Sequence, residues 1–127
     1  MIKRFLPAII WMAVIFYFSS QQTSGFVANE PTLRFYLLKS FHVTEYAILG
    51  MLLFNAFRKF KFSILIAYLY AVSDEIHQYF VPGRNSRFTD TLIDLAGILI
   101  GSLVLKIVLN WICETPLVSF FCPSRKK

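Results

Sequence analysis

The chain contains four runs of apolar residues separated by short polar or basic segments. Each run is near the length of about 20 residues that a helix needs to cross the roughly 30 Å hydrocarbon layer of a membrane. Because a backbone exposed to lipid must satisfy its hydrogen bonds internally, helices are the expected structure for all four runs. The pattern predicts one domain over residues 1–127, with helices at about 5–20, 41–57, 62–81 and 92–113.

The composition favours an integral membrane protein. Hydrophobic residues make up 57% of the chain, charged residues 16%, and the mean hydropathy is +0.60. A soluble domain is about 45–50% apolar and about 25% charged, and a chain this short could not bury so much apolar surface. The formal charge of +6 does not point to nucleic acid, because the basic residues stand in short clusters between the apolar runs.

Those basic clusters predict the orientation. If both termini are cytoplasmic, eight Lys and Arg residues lie on the inner side and four on the outer side, with Lys106 inside the fourth helix. The inner residues are Lys3, Arg4, Arg58, Lys59, Lys61, Arg125, Lys126 and Lys127, and the outer residues are Arg34, Lys39, Arg84 and Arg87. Since cytoplasmic loops carry an excess of Lys and Arg, cytoplasmic N- and C-termini are favoured.

The two cysteines form no recognised motif. Cys113 and Cys122 stand near the C-terminus without a CxxC spacing or a nearby His. We therefore expect free thiols in a reducing compartment.

In this orientation the acidic residues are distributed unevenly. All of them except Glu114 fall on the outer half, as do both histidines. Charged groups at membrane depth are expensive and normally face a bundle interior or a water-filled cavity. At helical spacing they form one stripe on each of the last three helices. The stripes consist of Lys39, His42, Glu45 and Tyr46, then of Asp74, His77, Gln78 and Val81 with Glu75 on the flank, and then of Asp90, Asp94, Gly97 and Gly101. We expect one outward-opening polar site between these three helices.

Gly97 and Gly101 form a GxxxG pair, which lets another backbone approach closely. Helix packing is the expected role of this pair, and it would also be the contact of a homo-oligomer if one forms.

A purely structural role remains an alternative for each element of the site. His42 with Glu45, and Asp74 with His77, could be hydrogen-bonded pairs that only hold the bundle together. Asp90 could stabilise a helix N-terminus, and Arg84 and Arg87 could anchor lipid headgroups. The carboxylates and histidines could also bind a divalent metal. However, no spacing is diagnostic and nearby cations would compete for the carboxylates, so we assign no metal and no other cofactor.

The same residues resemble the VanZ-like family of small bacterial membrane proteins. The resemblance rests on Phe18-Ser19-Ser20, on Lys39-x-x-His42-x-x-Glu45-Tyr46, on Asp74-Glu75-x-His77-Gln78-x-Phe80-x-Pro82-Gly83-Arg84, and on Asp90-x-x-x-Asp94-x-x-Gly97-x-x-x-Gly101. It implies a multi-pass protein of the bacterial cytoplasmic membrane. The family takes its name from a teicoplanin-resistance protein of enterococci. Its pattern often has Asn where this chain has Asp94, which implies that polarity is required there.

We expect the outward site to bind or process an envelope lipid or lipid-linked amphiphile. Lys39, Gln78, Arg84, Arg87, Asp90 and Asp94 are the expected binding residues, and Arg84 and Arg87 would meet a phosphate or carboxylate headgroup. If the protein is an enzyme, which the sequence leaves open, the catalytic candidates are His42, Glu45, Asp74, Glu75 and His77. The alternatives are an intramembrane hydrolase or transferase acting on a lipid headgroup, a transporter subunit, and a non-catalytic scaffold.

Overall fold

The computed structural model of the chain is all-helical, as the sequence predicts. It describes residues 2–21, 31–82, 84 and 89–114, and these form four helices. The helices are α1 (Ile2–Ser19), α2 (Pro31–Phe57), α3 (Phe60–Tyr79) and α4 (Asp90–Glu114). The order of the elements agrees with the four apolar runs.

The largest difference from the predicted bounds is at the start of α2. This helix begins at Pro31, ten residues before the predicted start at 41. Proline suits the first turn of a helix, because the backbone N–H that it lacks would have no partner within the helix at that position. Hydropathy detects only the apolar half of α2, whereas the helical backbone continues through the more polar half.

The link between α2 and α3 is very short. Arg58 and Lys59 separate the two helices, and Arg58 has φ 57°, in the left-handed region. A left-handed residue directly after a helix ends it and reverses the chain. The basic segment predicted to end the second helix therefore forms a tight turn, and α3 runs back along α2.

Glycines allow α4 to pack closely on α2, the most extensive helix contact in the described structure. A Cβ atom at Gly101 would overlap the Ala47 carbonyl oxygen, and one at Gly97 would lie 2.6 Å from that of Val43. Gly50 of α2 meets α4 in the same way, 2.6 Å from the Ile98 oxygen. The predicted packing face thus lies against α2 of the same chain. A homo-oligomer formed through Gly97 and Gly101 would have to use a face of α4 that α2 already covers.

Polar side chains are buried at one end of the bundle, while large apolar side chains cover much of its surface. Asp74 and Asp94 are only 3% and 1% exposed. Leu103, Ile107 and Trp111 of α4, in contrast, are exposed, as are many apolar residues of α1. This distribution is the reverse of that in an ordinary soluble domain.

Within the described residues, α4 is the one helix that is long and apolar enough to cross a membrane. The segment Asp90–Cys113 has a mean hydropathy of 2.3. The sequence predicts four crossing helices, and by this measure only one is found. In α2 and α3, charged residues such as Glu45, Asp74 and Glu75 interrupt the apolar sequence.

The expectation of free thiols is wrong for Cys113, which is disulfide-bonded. Spacing motifs do not reveal such a bond, because it depends on how the end of the chain folds. Cys122 lies outside the described residues.

Candidate functional site

Asp74 is the centre of a buried hydrogen-bond network that joins three helices. Its Oδ2 atom accepts hydrogen bonds from Ser19 Oγ of α1 (2.8 Å), Tyr46 Oη of α2 (3.0 Å) and Gln78 Nε2 of α3 (2.7 Å). Gln78 Nε2 also donates to Ser19 Oγ at 3.2 Å. Hydrogen bonds to an ionised carboxylate are stronger than neutral ones, so this network fixes the relative positions of α1, α2 and α3.

The second oxygen of Asp74 is in a different situation. Oδ1 is buried and has no hydrogen-bond partner in the described structure. Buried carboxylate oxygens are rarely left unpaired, because losing water without gaining a donor is costly. Asp74 therefore offers one fully engaged oxygen and one vacant acceptor.

A second set of contacts connects α2 to α4. Lys39 Nζ forms a salt bridge with Asp90 Oδ1, and His42 Nδ1 lies 3.2 Å from Asp94 Oδ1. The two pairs are one helical turn apart on each helix, so they form a ladder along the interface. His42 also stacks on Tyr46, with ring centroids 6.4 Å apart. This stacking places the ladder next to the Asp74 network.

Glu45 lies between the two sets of contacts. Its carboxylate is half-buried and makes no hydrogen bond to any residue that the structure describes, although its backbone oxygen accepts from Trp11 Nε1 at 2.9 Å. The Glu45 side chain is within electrostatic range of His42, Asp74, Asp94 and Arg84. It is thus a second acceptor that is available to a ligand.

Ser20 and His77 form a separate pair between α1 and α3. Ser20 Oγ lies 3.0 Å from His77 Nε2, and it donates to the Phe16 carbonyl oxygen at 2.7 Å. The Phe16 ring stacks on the imidazole with a centroid distance of 4.5 Å. With its hydroxyl hydrogen directed to Phe16, Ser20 accepts from the Nε2–H tautomer of His77.

Arg84 extends from the segment after α3 to the end of α1. Its Nη2 donates to the Phe18 carbonyl oxygen at 3.0 Å, while its Nε is buried without a hydrogen-bond partner in the described structure. The guanidinium is within electrostatic range of His42 and Glu45. Arg84 therefore adds a vacant donor to a region in which two carboxylates, those of Asp74 and Glu45, have vacant oxygens. We use the name polar cluster for the set of residues that meet here. The polar cluster consists of Ser19, Ser20, Lys39, His42, Glu45, Tyr46, Asp74, His77, Gln78, Arg84, Asp90 and Asp94.

The structure brings together most of the predicted site residues, but with different partners. His42 pairs with Asp94 of α4 and not with Glu45 of its own helix. The close packing of α4 on α2 brings the Asp94 carboxylate next to the His42 ring. Asp74 bonds Ser19, Tyr46 and Gln78 and not His77. Glu75 is also buried, and Arg87 lies outside the described residues.

The polar stripes do not predict the contribution of α1. Ser19 and Ser20 enter the cluster, although the site was expected between the last three helices, and Tyr46 has a larger role than its place in a stripe suggested. Uncharged hydroxyls cost little at membrane depth, so a search for charged groups does not find them. The available signal was the Ser19-Ser20 pair in the family-like pattern.

No group of three or more His, Cys, Asp or Glu side chains in the described parts of the chain is arranged to hold a metal ion. Asp90 and Asp94 are instead engaged by Lys39 and His42, and Asp74 is engaged by the hydroxyl and amide donors around it.

The chain matches a family model. The family model described as VanZ/LLP1 matches residues 5–109, which include all four helices for most of their length. No protein of curated function and no solved structure matches the chain.

Proposed function

The chain belongs to the VanZ/LLP1 family, and from this premise we propose that its polar cluster binds the headgroup of an envelope lipid or lipid-linked amphiphile. One observation carries the proposal: Asp74 Oδ1 and Arg84 Nε are both buried and both without partners in the described structure. A buried acceptor and a buried donor left vacant in one cluster are the groups that a polar ligand would satisfy.

The ligand chemistry follows from these vacant groups. Arg84 presents a planar guanidinium, which suits a phosphate or carboxylate oxygen. Asp74 Oδ1 and the Glu45 carboxylate require donors, such as the hydroxyl or ammonium groups of a headgroup. A ligand with an anionic group next to hydroxyl or amine donors satisfies all three residues. Lys39 and Asp90 neutralise one another and close the side of the cluster formed by α2 and α4.

We propose that all four helices cross the bacterial cytoplasmic membrane. At 1.5 Å per residue, even the 18 residues of α1 extend roughly 27 Å, close to the hydrocarbon thickness. Apolar side chains face outward and the polar residues face inward, which is the arrangement that lipid requires. The distribution of basic residues favours cytoplasmic termini, so the polar cluster opens to the outer side.

Native mass spectrometry of the protein extracted from its own membranes tests the proposal. Asp74→Asn is the sharpest variant: its amide oxygen can take the place of Oδ2 and keep the donors from Ser19, Tyr46 and Gln78. Its NH₂ group then replaces the vacant acceptor with a donor. We expect the wild type to retain an amphiphile that Asp74→Asn loses, although Asp74→Asn still folds and reaches the same level in the membrane.

Arg84→Lys provides a second test with a matched control. Lysine can keep the bond to the Phe18 oxygen but lacks the Nε donor, so retention of the amphiphile should fall about tenfold or more. Arg58→Lys, in the exposed turn at the other end, should retain it as the wild type does. Equal retention by all four proteins would contradict the proposed binding function.

A second candidate function is favoured by the contact between Ser20 and His77. Ser20 Oγ lies 3.0 Å from His77 Nε2. The two become a nucleophile and its base when the hydroxyl turns from the Phe16 oxygen to an unprotonated Nε2, and this pair would suit a hydrolase or transferase acting on the bound headgroup. In the described structure no carboxylate bonds to His77, so the orienting group of such a site is missing and binding remains the primary proposal. Labelling of Ser20 by a fluorophosphonate, abolished in His77→Gln, would establish the catalytic function; absence of labelling would dismiss it.

Family membership also suggests a role in resistance to teicoplanin-type glycopeptides. We propose that the retained amphiphile is one of the envelope molecules on which such antibiotics act. Expression of the wild type in a susceptible bacterium should lower teicoplanin susceptibility, and expression of Asp74→Asn at matched membrane levels should not. If both proteins give the same teicoplanin susceptibility, binding of the amphiphile is not the cause of resistance.

A further inference from the structure

The end of the bundle opposite the polar cluster contains a groove of about 580 Å³. It forms where the start of α1 meets the turn between α2 and α3. The groove is lined by Arg4, Phe5, Ala56, Phe57, Lys59 and Phe62, and we call it the basic groove. None of these residues belongs to the polar cluster.

The two cations of the basic groove are not neutralised by the described parts of the protein. Arg4 and Lys59 are exposed, and neither makes a salt bridge to a described residue. The carboxylates whose side chains the structure describes are Glu45, Asp74, Glu75, Asp90 and Asp94, and they all lie toward the other end. The groove therefore has a positive potential that an anion would neutralise.

Aromatic rings form the apolar wall of the groove. Phe57 stands between two other rings, with edge-to-face contacts to Phe5 at 5.0 Å and to Phe62 at 4.8 Å between centroids. Phe62 is 44% exposed, so this row of rings is open to the surroundings. The groove thus combines two cations with an adjoining apolar wall.

We infer that the basic groove binds an anionic phospholipid of the surrounding membrane, with its phosphate between Arg4 and Lys59 and an acyl chain along the three phenylalanine rings. Basic pockets between helices at the cytoplasmic surface are suited to anionic headgroups, and the aromatic wall supplies apolar area for the chain. The inference requires the membrane setting proposed above, but it is independent of any ligand in the polar cluster.

The competing explanation is that these cations only attract the membrane surface in a diffuse way, together with the other basic residues at this end. The chain provides a matched control, because Lys3 and Lys61 are also exposed at this end but do not line the groove. Arg4→Gln/Lys59→Gln and Lys3→Gln/Lys61→Gln remove the same total charge. A diffuse effect responds equally to both double variants, whereas a defined site responds only to the first.

The experiment is native mass spectrometry of delipidated protein titrated with phosphatidylglycerol in phosphatidylcholine-containing micelles. We expect the wild type to bind one phosphatidylglycerol saturably and to bind phosphatidylcholine much more weakly. Arg4→Gln/Lys59→Gln should weaken phosphatidylglycerol binding about tenfold or more, since two charge-assisted contacts are lost. Lys3→Gln/Lys61→Gln should bind as the wild type does, and Asp74→Asn should also leave this binding unchanged.

Two further arms separate a lipid from a free anion. Phe62→Ala removes an exposed ring of the wall and should weaken phosphatidylglycerol binding without changing the unfolding temperature. Inorganic phosphate at the same anion concentration should give no adduct and should not displace the lipid. The inference is overturned if both double variants lose binding equally, if neither does, if Phe62→Ala binds as the wild type does, or if inorganic phosphate occupies the groove.

Discussion

The hydroxyl of Tyr46 donates a hydrogen bond of 3.0 Å to Oδ2 of Asp74, and both residues are buried in the bundle. This bond connects the middle of α2 to the last turns of α3. Together with the bonds from Ser19 and Gln78, it keeps Oδ2 fully engaged and leaves Oδ1 vacant. The orientation of the Asp74 carboxylate is thus determined by its neighbours, as a preorganised binding site requires.

Tyr46→Phe should destabilise the protein while changing its shape little. The ring is kept, but Asp74 loses one of three donors, and a hydrogen bond to a charged group contributes about 1.5–3 kcal/mol. Denaturant unfolding in detergent micelles measures the difference. Tyr79→Phe is the control, because Tyr79 is 74% exposed and should change stability by less than about 0.5 kcal/mol. Equal stability of all three proteins would show that the network contributes nothing to folding.

Asp94→Asn should be tolerated and Asp94→Leu should not. An asparagine carbonyl can accept the hydrogen bond that His42 Nδ1 shares with Asp94 at 3.2 Å, whereas leucine leaves the imidazole without a partner. We expect Asp94→Leu to cost about 1–3 kcal/mol of unfolding free energy and to lower amphiphile retention, with Asp94→Asn close to the wild type in both. If the two variants are equally impaired, the negative charge of Asp94 is required.

Gly101→Ala should force α4 away from α2. The added methyl would overlap the Ala47 oxygen, a closer approach than the 2.6 Å between a methyl at Gly97 and the Val43 oxygen. Overpacking of this kind costs about 1–3 kcal/mol or more, so Gly101→Ala should lower the unfolding temperature more than Gly97→Ala. Ala96→Leu adds volume on the exposed face of α4 and serves as the control. A control that is destabilised as much as Gly101→Ala would contradict the proposed α2–α4 interface.

Labelling of single cysteines tests the orientation. In a background without Cys113 and Cys122, a membrane-impermeant maleimide should label Gln21→Cys, after α1, from outside. It should fail to label Lys59→Cys, in the turn between α2 and α3, until the membrane is opened. The disulfide at Cys113 favours the opposite result, because disulfides persist in oxidising compartments. Labelling of Lys59→Cys alone would place the polar cluster at the cytoplasmic side.

The sequence predicted the four helices, their order and the grouping of polar residues at one end, because apolar runs and helical stripes are local properties. It could not predict which residues pair. The stripes show which face of each helix is polar, but the choice of Asp94 as the partner of His42 depends on how α2 and α4 rotate against each other. That rotation is set by the close contacts of Gly97 and Gly101 with α2, and these contacts join residues that are far apart in the sequence.

Two further features of the site lay beyond the reach of sequence patterns. Ser19 joins the Asp74 network only because α1 packs against α2 and α3. The Ser19-Ser20 pair indicates a polar position in α1, but it does not indicate the partner of that position. The vacancies at Asp74 Oδ1 and Arg84 Nε are properties of individual atoms. A residue pattern can show that a carboxylate is buried, but it cannot show which of its oxygens is engaged.

Nuclear magnetic resonance of the Arg84 Nε–H group tests the proposed binding function most directly. In protein labelled with ¹⁵N-arginine, the Arg84 signal is assigned by its loss in Arg84→Lys, and delipidated protein is compared with protein that has rebound the amphiphile retained in membranes. We expect the Arg84 Nε–H signal to shift and to exchange more slowly with water when the amphiphile binds, while the Arg58 signal at the other end does not move. An unchanged Arg84 signal in protein that has bound the amphiphile would contradict the proposed binding function.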